Sequence, residues 1–458
     1  MIKKQLVAFF CFVLLFAFPA ASFASPLDEV KDYVESYYVG DIDGDIRKAQ
    51  SIEEVMSFLD AYSAYFTESE FNKFLNSVDM KTVGIGVAIE KHDKGIYISE
   101  VFDGGGAKKA GIVPGDIITA VDGKAAAPLT TEEASSRITG EENTTVQITV
   151  LKKNGTSETV TIVRKAFSLP NVTEKLLYGH IGYIALSSFS NDAVRLVSDA
   201  VVSLEKQGAT KFILDIQNNG GGYVTAAEQL IGMFPNAPKA YNLKEASGTT
   251  TAQALTQFIQ FPENTKVLIN KNSASSSEMT AAALRDQKAA ILYGQQSYGK
   301  GSMQSFLELS DGSYLKLTTG HFMGPSNTVI NHVGVKPNVA TNEDPIYKAH
   351  YDTLLEKYPN YQEKASLANV PTTKAFTITL NEALATDINT EFVELAELGG
   401  EAVSVSIDTR DNKLFVTPKA PLKTGGHYAL IVHPGLENAK GKAMRKGYTL
   451  YITVEAQK

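Results

Sequence analysis

Strands and helices alternate along the middle of the chain, and this alternation restricts the fold more than any other feature of the sequence. From about residue 180, apolar segments typical of buried strands are each followed by a helix-like segment. Crossover connections of this kind favour parallel strands with helices packed on the sheet. The sequence therefore predicts an α/β core with a largely parallel sheet. Its strand-like segments are IGYIALSSF, KFILDI, TKVLIN and AAILYG.

The segments on either side of this core differ from it in composition and in predicted secondary structure. Residues 27–80 are acidic and helix-like, and from residue 81 short β-rich segments are punctuated by Gly, Asp and Asn, as in hairpins. A polar stretch at residues 361–374 is typical of a linker. Beyond it only strand-like runs occur, spaced by roughly a dozen residues, which indicates a β-sandwich. The predicted fold class is multidomain, with an α/β core and further β domains.

The first 24 residues have the pattern of a secretory signal. Lys3 and Lys4 precede an apolar stretch from Leu6 to Phe18, and Ser22-Phe23-Ala24 fits a cleavage site. The apolar run is shorter than the ~20 residues that span a bilayer, so cleavage is favoured and a retained anchor is the alternative. The only cysteine, Cys11, lies here, so the mature chain would have neither disulfides nor a thiol nucleophile. We expect an extracellular or cell-envelope protein.

Charge and composition exclude several function classes. The net charge is −8 and no basic run occurs, which argues against nucleic acid as a partner. No cluster of His, Asp or Glu has metal-ligand spacing, so we predict neither a metal nor another cofactor. The chain has seven histidines but no Gly-x-Ser-x-Gly elbow, which argues against a histidine triad.

Two strand ends in the predicted core carry unusual turns. KFILDI is followed by Asn219 and three glycines, and TKVLIN is followed by four serines within residues 273–277. Both turns lead into a helix, so each offers free backbone N–H groups at the positive end of a helix dipole. A plain tight turn would explain the glycines alone. Helix capping by Ser277 would explain one serine but not four.

Lys300 is a candidate general base because of its surroundings. It lies between Gly299 and Gly301, and apolar segments flank the turn. A lysine amine can deprotonate a serine only if burial lowers its pKa from ~10.4 by about three units. By strand alternation Gln304 would share a face with Lys300 and could hold the amine without adding a charge. The alternative is a strand-end lysine whose amine reaches solvent.

Taken together, SASSSE and YGKGSMQ resemble the serine–lysine signature of the C-terminal processing peptidases, relatives of the tail-specific proteases. The resemblance implies that Ser275 is the nucleophile, that Lys300 is the base 25 residues later, and that Gln304 positions this base. It also implies an oxyanion hole formed by the backbone N–H groups of Gly221 and Ser276, both at strand-to-helix turns. No cofactor is implied.

The resemblance covers about residues 27 to 345 and implies a domain order. VGIGVAIE and AGIVPGDII are similar to a PDZ domain, in which Gly84, Ile85 and Gly86 would bind a terminal carboxylate while the peptide adds as a strand. The tail resembles a bacterial Ig-like domain of the surface-layer type and suggests attachment rather than chemistry. The implied core is a ClpP/crotonase-like α/β protease. The expected segments are a signal peptide 1–24, an N-terminal helical segment 25–80, an inserted PDZ domain 81–166, a serine–lysine protease core 167–360 and an Ig-like β-sandwich 372–458.

The function implied by the resemblance is that of a secreted serine endopeptidase. It would capture exposed C-terminal tails through the PDZ domain and hydrolyse peptide bonds with a Ser–Lys dyad through an acyl-enzyme. The expected partners are proteins or peptides with exposed C-termini, while envelope contact through the Ig-like domain and a homodimer stay open. The alternative function is a catalytically silent PDZ and Ig-like adaptor at the cell surface.

A second enzyme class shares two short motifs with the chain. Ser297-x-x-Lys300 and Lys423-Thr424-Gly425 match signatures of penicillin-recognising enzymes. The Ser-x-x-Lys motif of those enzymes opens a helix, whereas here Gly299 and Gly301 bracket the lysine. We interpret both matches as chance.

Overall fold

The computed structural model describes residues 25–384 and 390–456. The predicted signal segment, residues 1–24, lies outside the described residues. None of the helices in the described ranges combines the length and apolar character needed to cross a bilayer. The chain divides into two compact units, whose described parts are residues 25–68 with 304–318, and residues 69–303 with 319–384 and 390–456.

The first unit has a small apolar core. Val30 and Val34 of the first helix share this core with Leu315 and Leu317. The buried Lys31 amine donates a hydrogen bond of 2.7 Å to the carbonyl oxygen of Ala49. The elements of this unit are helices Pro26–Tyr37 and Ile52–Ser57, the 3₁₀-helix Ile46–Lys48, and strand Ala64–Phe66, which pairs antiparallel with residues 314–316.

In the second unit, an antiparallel sheet follows helix Glu68–Val78. Strands Lys81–Gly84 and Lys165–Ser168 pair and bring the two ends of this domain together, as expected for an inserted domain. Helices Gly106–Lys109 and Thr131–Ile138 complete it. The order across the sheet is Val87–His92, Gly95–Val101, Ile117–Val121, Thr145–Leu151 and Ser157–Val163, with the short strand Lys124–Ala125 paired to the third.

The predicted parallel sheet of the α/β core is confirmed. Its order is Val172–Leu177, Ile181–Leu186, Lys211–Asp215, Lys266–Ile269, Ile291–Gly294 and Val339–Ala340. The first pair is antiparallel and all the others are parallel.

Alternate residues of each core strand face different sides of the sheet. Phe212 and Leu214 pack with one set of helices, whereas Ile213 packs on the opposite side. The helices of the first side are Ala193–Lys206, Val224–Ile231 and Ser276–Asp286, and that of the second is Pro345–Lys357. Elsewhere in the chain, Lys239–Glu245 and Gly248–Gln253 form a hairpin, and Ser302–Glu308 pairs with Tyr314–Met323.

The C-terminal region is a sandwich of two sheets, as predicted. The larger sheet has the order Gln362–Val370, Tyr448–Val454, His427–Val432, Val393–Glu397 and Ala402–Val403, with the 3₁₀-helix Thr390–Phe392 before the fourth of these. The smaller sheet has the order Phe376–Thr379, Lys413–Pro418 and Val405–Arg410.

The predicted linker at residues 361–374 is wrong. Residues Gln362–Val370 form a strand that pairs in parallel with Tyr448–Val454. All its side chains except that of Val370 are exposed, so the segment lacks the apolar alternation that marks a strand in the sequence. Backbone pairing, which leaves no trace in side-chain polarity, decides its conformation.

The C-terminal sandwich packs directly on the α/β core. Leu398 and Ile431 of the sandwich are buried in one cluster with Ile346 and Leu354 of helix Pro345–Lys357. A fully buried histidine, His350, lies on the same helix. The sandwich is therefore part of the folded core rather than an appendage.

His350 joins the core helix to the sandwich through one ring nitrogen and to another part of the core through the other. Nδ1 accepts a 2.9 Å hydrogen bond from the Gly399 N–H in the sandwich. Nε2 must then carry the proton, which it donates over 2.9 Å to the carbonyl oxygen of Tyr178 in the core. Burial, with nearby Lys175 acting in the same direction, lowers the pKa of His350 to about 4.

We expect this histidine to make domain docking acid-sensitive. The unfolded chain binds a proton at His350 near pH 6.5, whereas the folded chain does so only near pH 4. The stabilisation is complete above pH 6.5 and is lost as the pH falls towards 4, by about 3 kcal/mol. Urea unfolding followed by circular dichroism should show this loss in wild type and a smaller loss in His350→Gln. His92→Gln, in the inserted domain, is the control; equal losses in wild type and His350→Gln would contradict the assignment.

Candidate active site

Three loops follow three neighbouring parallel strands of the core. The glycine loop (residues 216–222) follows Lys211–Asp215, the serine loop (residues 273–277) comes after Lys266–Ile269, and the lysine loop (residues 297–301) comes after Ile291–Gly294. The carboxyl ends of parallel strands lie at one edge of a sheet, where α/β proteins place their sites. The sheet thus brings together the glycines, the serines and Lys300.

Three serine hydroxyls tie the serine loop to the glycine loop. The Oγ atoms of Ser273, Ser276 and Ser277 donate to the carbonyl oxygens of Ile216, Gly222 and Asn219, over 2.8, 3.0 and 2.8 Å respectively. Capping by Ser277, considered from the sequence, is wrong because the helix begins at Ser276 with Ser275 as its N-cap. Of the four serines, Ser275 is the one whose hydroxyl does not anchor the glycine loop.

Ser275 has a strained backbone. Its φ of 56° and ψ of −115° lie outside the regions that non-glycine residues ordinarily occupy. Such a conformation costs on the order of 1–3 kcal/mol and persists only where the surroundings impose it. A strained strand-to-helix turn is also how α/β-hydrolases expose a nucleophilic serine. The chain reaches this geometry without the glycines of the usual elbow motif.

Gly221 contacts Ser275 of the serine loop. Its φ is +103°, and a Cβ added to it would lie 2.8 Å from the Cβ atom of Ser275. Its N–H donates over 2.9 Å to Oδ1 of the fully buried Asn219. To accept an oxyanion as predicted, this N–H must share or leave that bond. Asn219 itself is held by a 2.9 Å bond from Nδ2 to the carbonyl oxygen of Leu186.

The lysine loop has a bent shape that depends on glycine. Gly299 has a φ of +99°, and its carbonyl oxygen accepts a 2.8 Å hydrogen bond from the His332 N–H. A Cβ at this position would come within 3.2 Å of the backbone nitrogen of Val333. Lys300 is half-buried at the end of this bend. Gly299 is therefore required for the bend of the backbone just before Lys300.

The strand that carries Gln304 begins at Ser302, so Lys300 lies just before it. That Gln304 and Lys300 share a face stays a prediction. Gln304 belongs to the first unit, where its side-chain amide donates over 3.2 Å to Oγ1 of Thr318.

Sequence reasoning missed Glu278, the residue that joins the serine and lysine loops. Its carboxylate accepts hydrogen bonds from the backbone N–H groups of Ser275 (3.0 Å) and Lys300 (2.7 Å). The signal available in the sequence was the capping-box spacing, an acidic residue three positions after a serine.

A second buried carboxylate, Asp215, lies at the base of the glycine loop. It accepts a 2.6 Å hydrogen bond from the Tyr183 hydroxyl and a 2.8 Å bond from the Gln217 N–H. Burial raises its pKa to about 6. The Asp215 carboxylate thus fixes the backbone at the start of the glycine loop.

The predicted carboxylate-binding loop lies in the inserted domain. The carbonyl oxygens of Ile85 and Gly86 accept hydrogen bonds from the N–H groups of Ala107 (2.7 Å) and Phe102 (2.9 Å). Gly84 ends the strand before this loop. The adjoining strand Val87–His92 is at the edge of its sheet and contacts helix Thr131–Ile138. An edge strand beside a helix is the geometry that strand addition requires.

The side chains of the described residues include no group of three or more His, Cys, Asp or Glu placed to hold a metal ion. The three loops offer a serine hydroxyl, a lysine amine and backbone N–H groups.

Comparison with known proteins identifies three domains and the family of this chain. Residues 180–341 match Peptidase family S41, residues 83–163 match a PDZ domain, and residues 363–453 match a bacterial Ig-like domain. A CtpA-like serine protease of Staphylococcus aureus strain COL is 30% identical over 77% of this chain and 68% of the relative. The chain belongs to peptidase family S41. The homologue from strain RF122 is 31% identical over 75% of this chain and 66% of its own length, so the chain spans about two thirds of such relatives.

One solved structure similar to this one is also a protease. The photosystem II D1 C-terminal processing protease is 23% identical, covers 72% of this chain and 96% of its own, and has a TM-score of 0.45. The predicted combination of an α/β protease core, a PDZ domain and an Ig-like sandwich is confirmed. The family match and the CtpA-like serine protease relatives support a serine peptidase.

Gly221→Ala should strongly reduce peptidase activity in this S41 chain. The added methyl would clash with the Ser275 turn, and alanine disfavours a φ of +103°. We expect kcat/KM to fall about a hundredfold, since displacement of a reacting group by about 1 Å can cost that much.

Gly220→Ala is the matched control for this prediction. A Cβ there meets nothing within 4 Å, and the backbone is not left-handed. Peptide hydrolysis by the two variants, at equal melting temperature, checks the contrast. Equal activities would contradict the proposed close approach of Gly221 to the serine turn.

Proposed function

We propose that this chain is an exported serine endopeptidase that cleaves proteins captured by their exposed C-terminal tails. The observation that carries the proposal is the attachment of the Ser275 and Lys300 N–H groups to one buried carboxylate. These two hydrogen bonds hold the start of helix Ser276–Asp286 beside the lysine loop. The strained backbone of Ser275 adds support, because strain of this kind concentrates at functional sites.

The proposed reaction runs through an acyl-enzyme. The neutral amine of Lys300 takes the proton of the Ser275 hydroxyl while Oγ attacks the scissile carbonyl carbon. The resulting oxyanion accepts hydrogen bonds from the N–H groups of Ser276 and Gly221. The C–N bond then breaks as Lys300 returns the proton to the leaving amine. Water, deprotonated by Lys300, hydrolyses the ester and restores Ser275.

Proton transfer in this scheme needs a hydrogen bond from the Ser275 hydroxyl to the Lys300 amine in the substrate complex, where catalytic hydrogen bonds often tighten. Gln304 is proposed to position the amine through its neutral side chain, which would not raise the pKa of a lysine as a carboxylate would.

The domains divide the work in this proposal. The PDZ domain, residues 81–166, binds the terminal carboxylate of a substrate at Gly84, Ile85 and Gly86. The protease core, residues 167–360, cleaves the chain, and the Ig-like domain supports the core and contacts the cell envelope. An N-terminal signal, residues 1–24, directs export. The competing proposal is a silent adaptor that retains only binding.

Removal of either dyad residue should abolish cleavage. We expect Ser275→Ala and Lys300→Ala to reduce cleavage of an unfolded protein with an apolar C-terminus by about a thousandfold or more. Lys206→Ala, an exposed lysine on another helix, is the control. The measurement is the initial rate of substrate loss on gels, with melting temperatures compared by circular dichroism.

Each outcome of this experiment selects one function. If wild type cleaves and both dyad variants are inactive, the Ser–Lys mechanism is supported. If cleavage survives in Ser275→Ala, the proposed nucleophile is wrong. If wild type is inert while its PDZ domain binds the tail, the adaptor function is favoured.

Tail capture should depend on a free terminal carboxylate. In Ser275→Ala, which cannot turn over its ligand, we expect a fluorescent apolar peptide to bind at least about tenfold more tightly than its C-terminally amidated form. The reason is that amidation removes the charged acceptor for the loop N–H groups. Fluorescence anisotropy measures both affinities. Equal binding of the two peptides would exclude carboxylate capture at this loop.

A further inference from the structure

We propose that Glu278 is a positioning residue that holds the Ser275 turn and the Lys300 loop in the relation that proton transfer requires. The inference deepens the Ser–Lys function proposed above and rests on it. Glu278 would not touch the substrate or the transferred proton. It would act through the backbone of the two residues that do.

The carboxylate of Glu278 makes four hydrogen bonds, two to each oxygen. Oε2 accepts from the backbone nitrogens of Ser275 and Lys300, so a single oxygen joins the proposed nucleophile and base. Oε1 accepts from the Ser297 hydroxyl and the Gly299 N–H, each over 2.6 Å. Three of the four donors therefore belong to the lysine loop and one to the serine turn.

The Glu278 carboxylate is buried, so its hydrogen bonds are needed to stabilise it. Glu278 has no exposed surface, and none of the ion pairs among the described residues includes it. A buried carboxylate without a cation is costly unless hydrogen bonds fill its acceptor sites, and four donors match the four lone-pair sites available. Burial raises the pKa of Glu278, and the four hydrogen bonds oppose this rise.

The lysine loop, which donates three hydrogen bonds to Glu278, is also held by hydrogen bonds from residues 332 and 335. The Ser297 hydroxyl accepts a 2.6 Å hydrogen bond from the Val335 N–H while donating to Glu278. The Gly299 carbonyl accepts from His332, and the left-handed φ of Gly299 turns two successive N–H groups towards the carboxylate. Consecutive N–H groups of this kind form an anion-binding nest. Glu278 thus connects the serine turn to an anchored loop.

Substitution by glutamine isolates this role. Glutamine has nearly the same shape, but its NH₂ group cannot accept a hydrogen bond. In Glu278→Gln at least one backbone N–H of the bridge loses its acceptor, so the serine turn and the lysine loop are free to separate. Both dyad side chains remain present, and the surface that contacts the substrate is unchanged. The effect should therefore fall on kcat rather than on KM.

The test compares Glu278→Gln with Glu228→Gln on a fluorogenic peptide, using the full chain. Glu228, on helix Val224–Ile231, accepts a 2.9 Å hydrogen bond from the Tyr241 hydroxyl, which a glutamine oxygen can retain. We expect Glu278→Gln to lower kcat about a hundredfold with little change in KM, and Glu228→Gln to behave like wild type. The rising limb of the pH profile of kcat/KM should move to lower pH, because a negative charge near the base has been removed.

A second variant keeps the proposal testable if Glu278→Gln does not fold. Ser297→Ala removes one donor but leaves the bridge between Ser275 and Lys300, so we expect a smaller fall in kcat, about threefold to tenfold, again at constant KM. Wild-type kcat in every variant that folds would overturn the proposal. So would a loss in Glu278→Gln that merely follows its melting temperature without a shift of the pH profile.

The outcome is separable from a failure of the proposed function. Labelling of Ser275 by a fluorophosphonate, together with the inactivity of Ser275→Ala and Lys300→Ala, tests the dyad independently of Glu278. If the dyad experiments succeed and Glu278→Gln retains wild-type kcat, only the positioning role fails. If wild type is neither labelled nor active, the Ser–Lys function itself fails.

Discussion

Parallel hydrogen bonding among three neighbouring strands is the constraint on which the candidate site depends. Strands Lys211–Asp215, Lys266–Ile269 and Ile291–Gly294 are paired in register, so the loops that follow them leave the sheet at the same edge. Residues far apart in the chain thereby come close enough for one carboxylate to contact two of the loops. Without this pairing, the motifs around Ser275 and Lys300 would be two unrelated turns.

Buried polar contacts then impose a conformation that the loops would not adopt alone. Ser275 has a backbone geometry that costs free energy, and its neighbours Ser273, Ser276 and Ser277 hold the turn against the glycine loop. Each of these hydroxyls donates a hydrogen bond to a backbone carbonyl of the glycine loop. The serine-rich composition of the segment is thus explained mainly by structure, and one serine remains for chemistry.

The Ig-like domain has a role in the fold in addition to the attachment that its sequence suggests. Resemblance to surface-layer domains indicates attachment, yet Leu398 and Ile431 share a core with the helix Pro345–Lys357. His350 of this helix adds a hydrogen bond from Gly399 of the sandwich across the same contact. Burial of this kind couples the stability of the sandwich to that of the protease core, whatever else the domain contacts.

The sequence by itself determined the α/β core, the positions of the strand-to-helix turns and the family signature, because apolar periodicity and glycine or serine punctuation are local properties. Tertiary structure alone decided the role of Glu278, the bond between the Gly221 N–H and Asn219, and the strand at Gln362–Val370. Each of these depends on which distant groups supply donors and acceptors. A hydrogen-bond partner many residues away leaves no periodic trace in the chain, so only the folded arrangement reveals it.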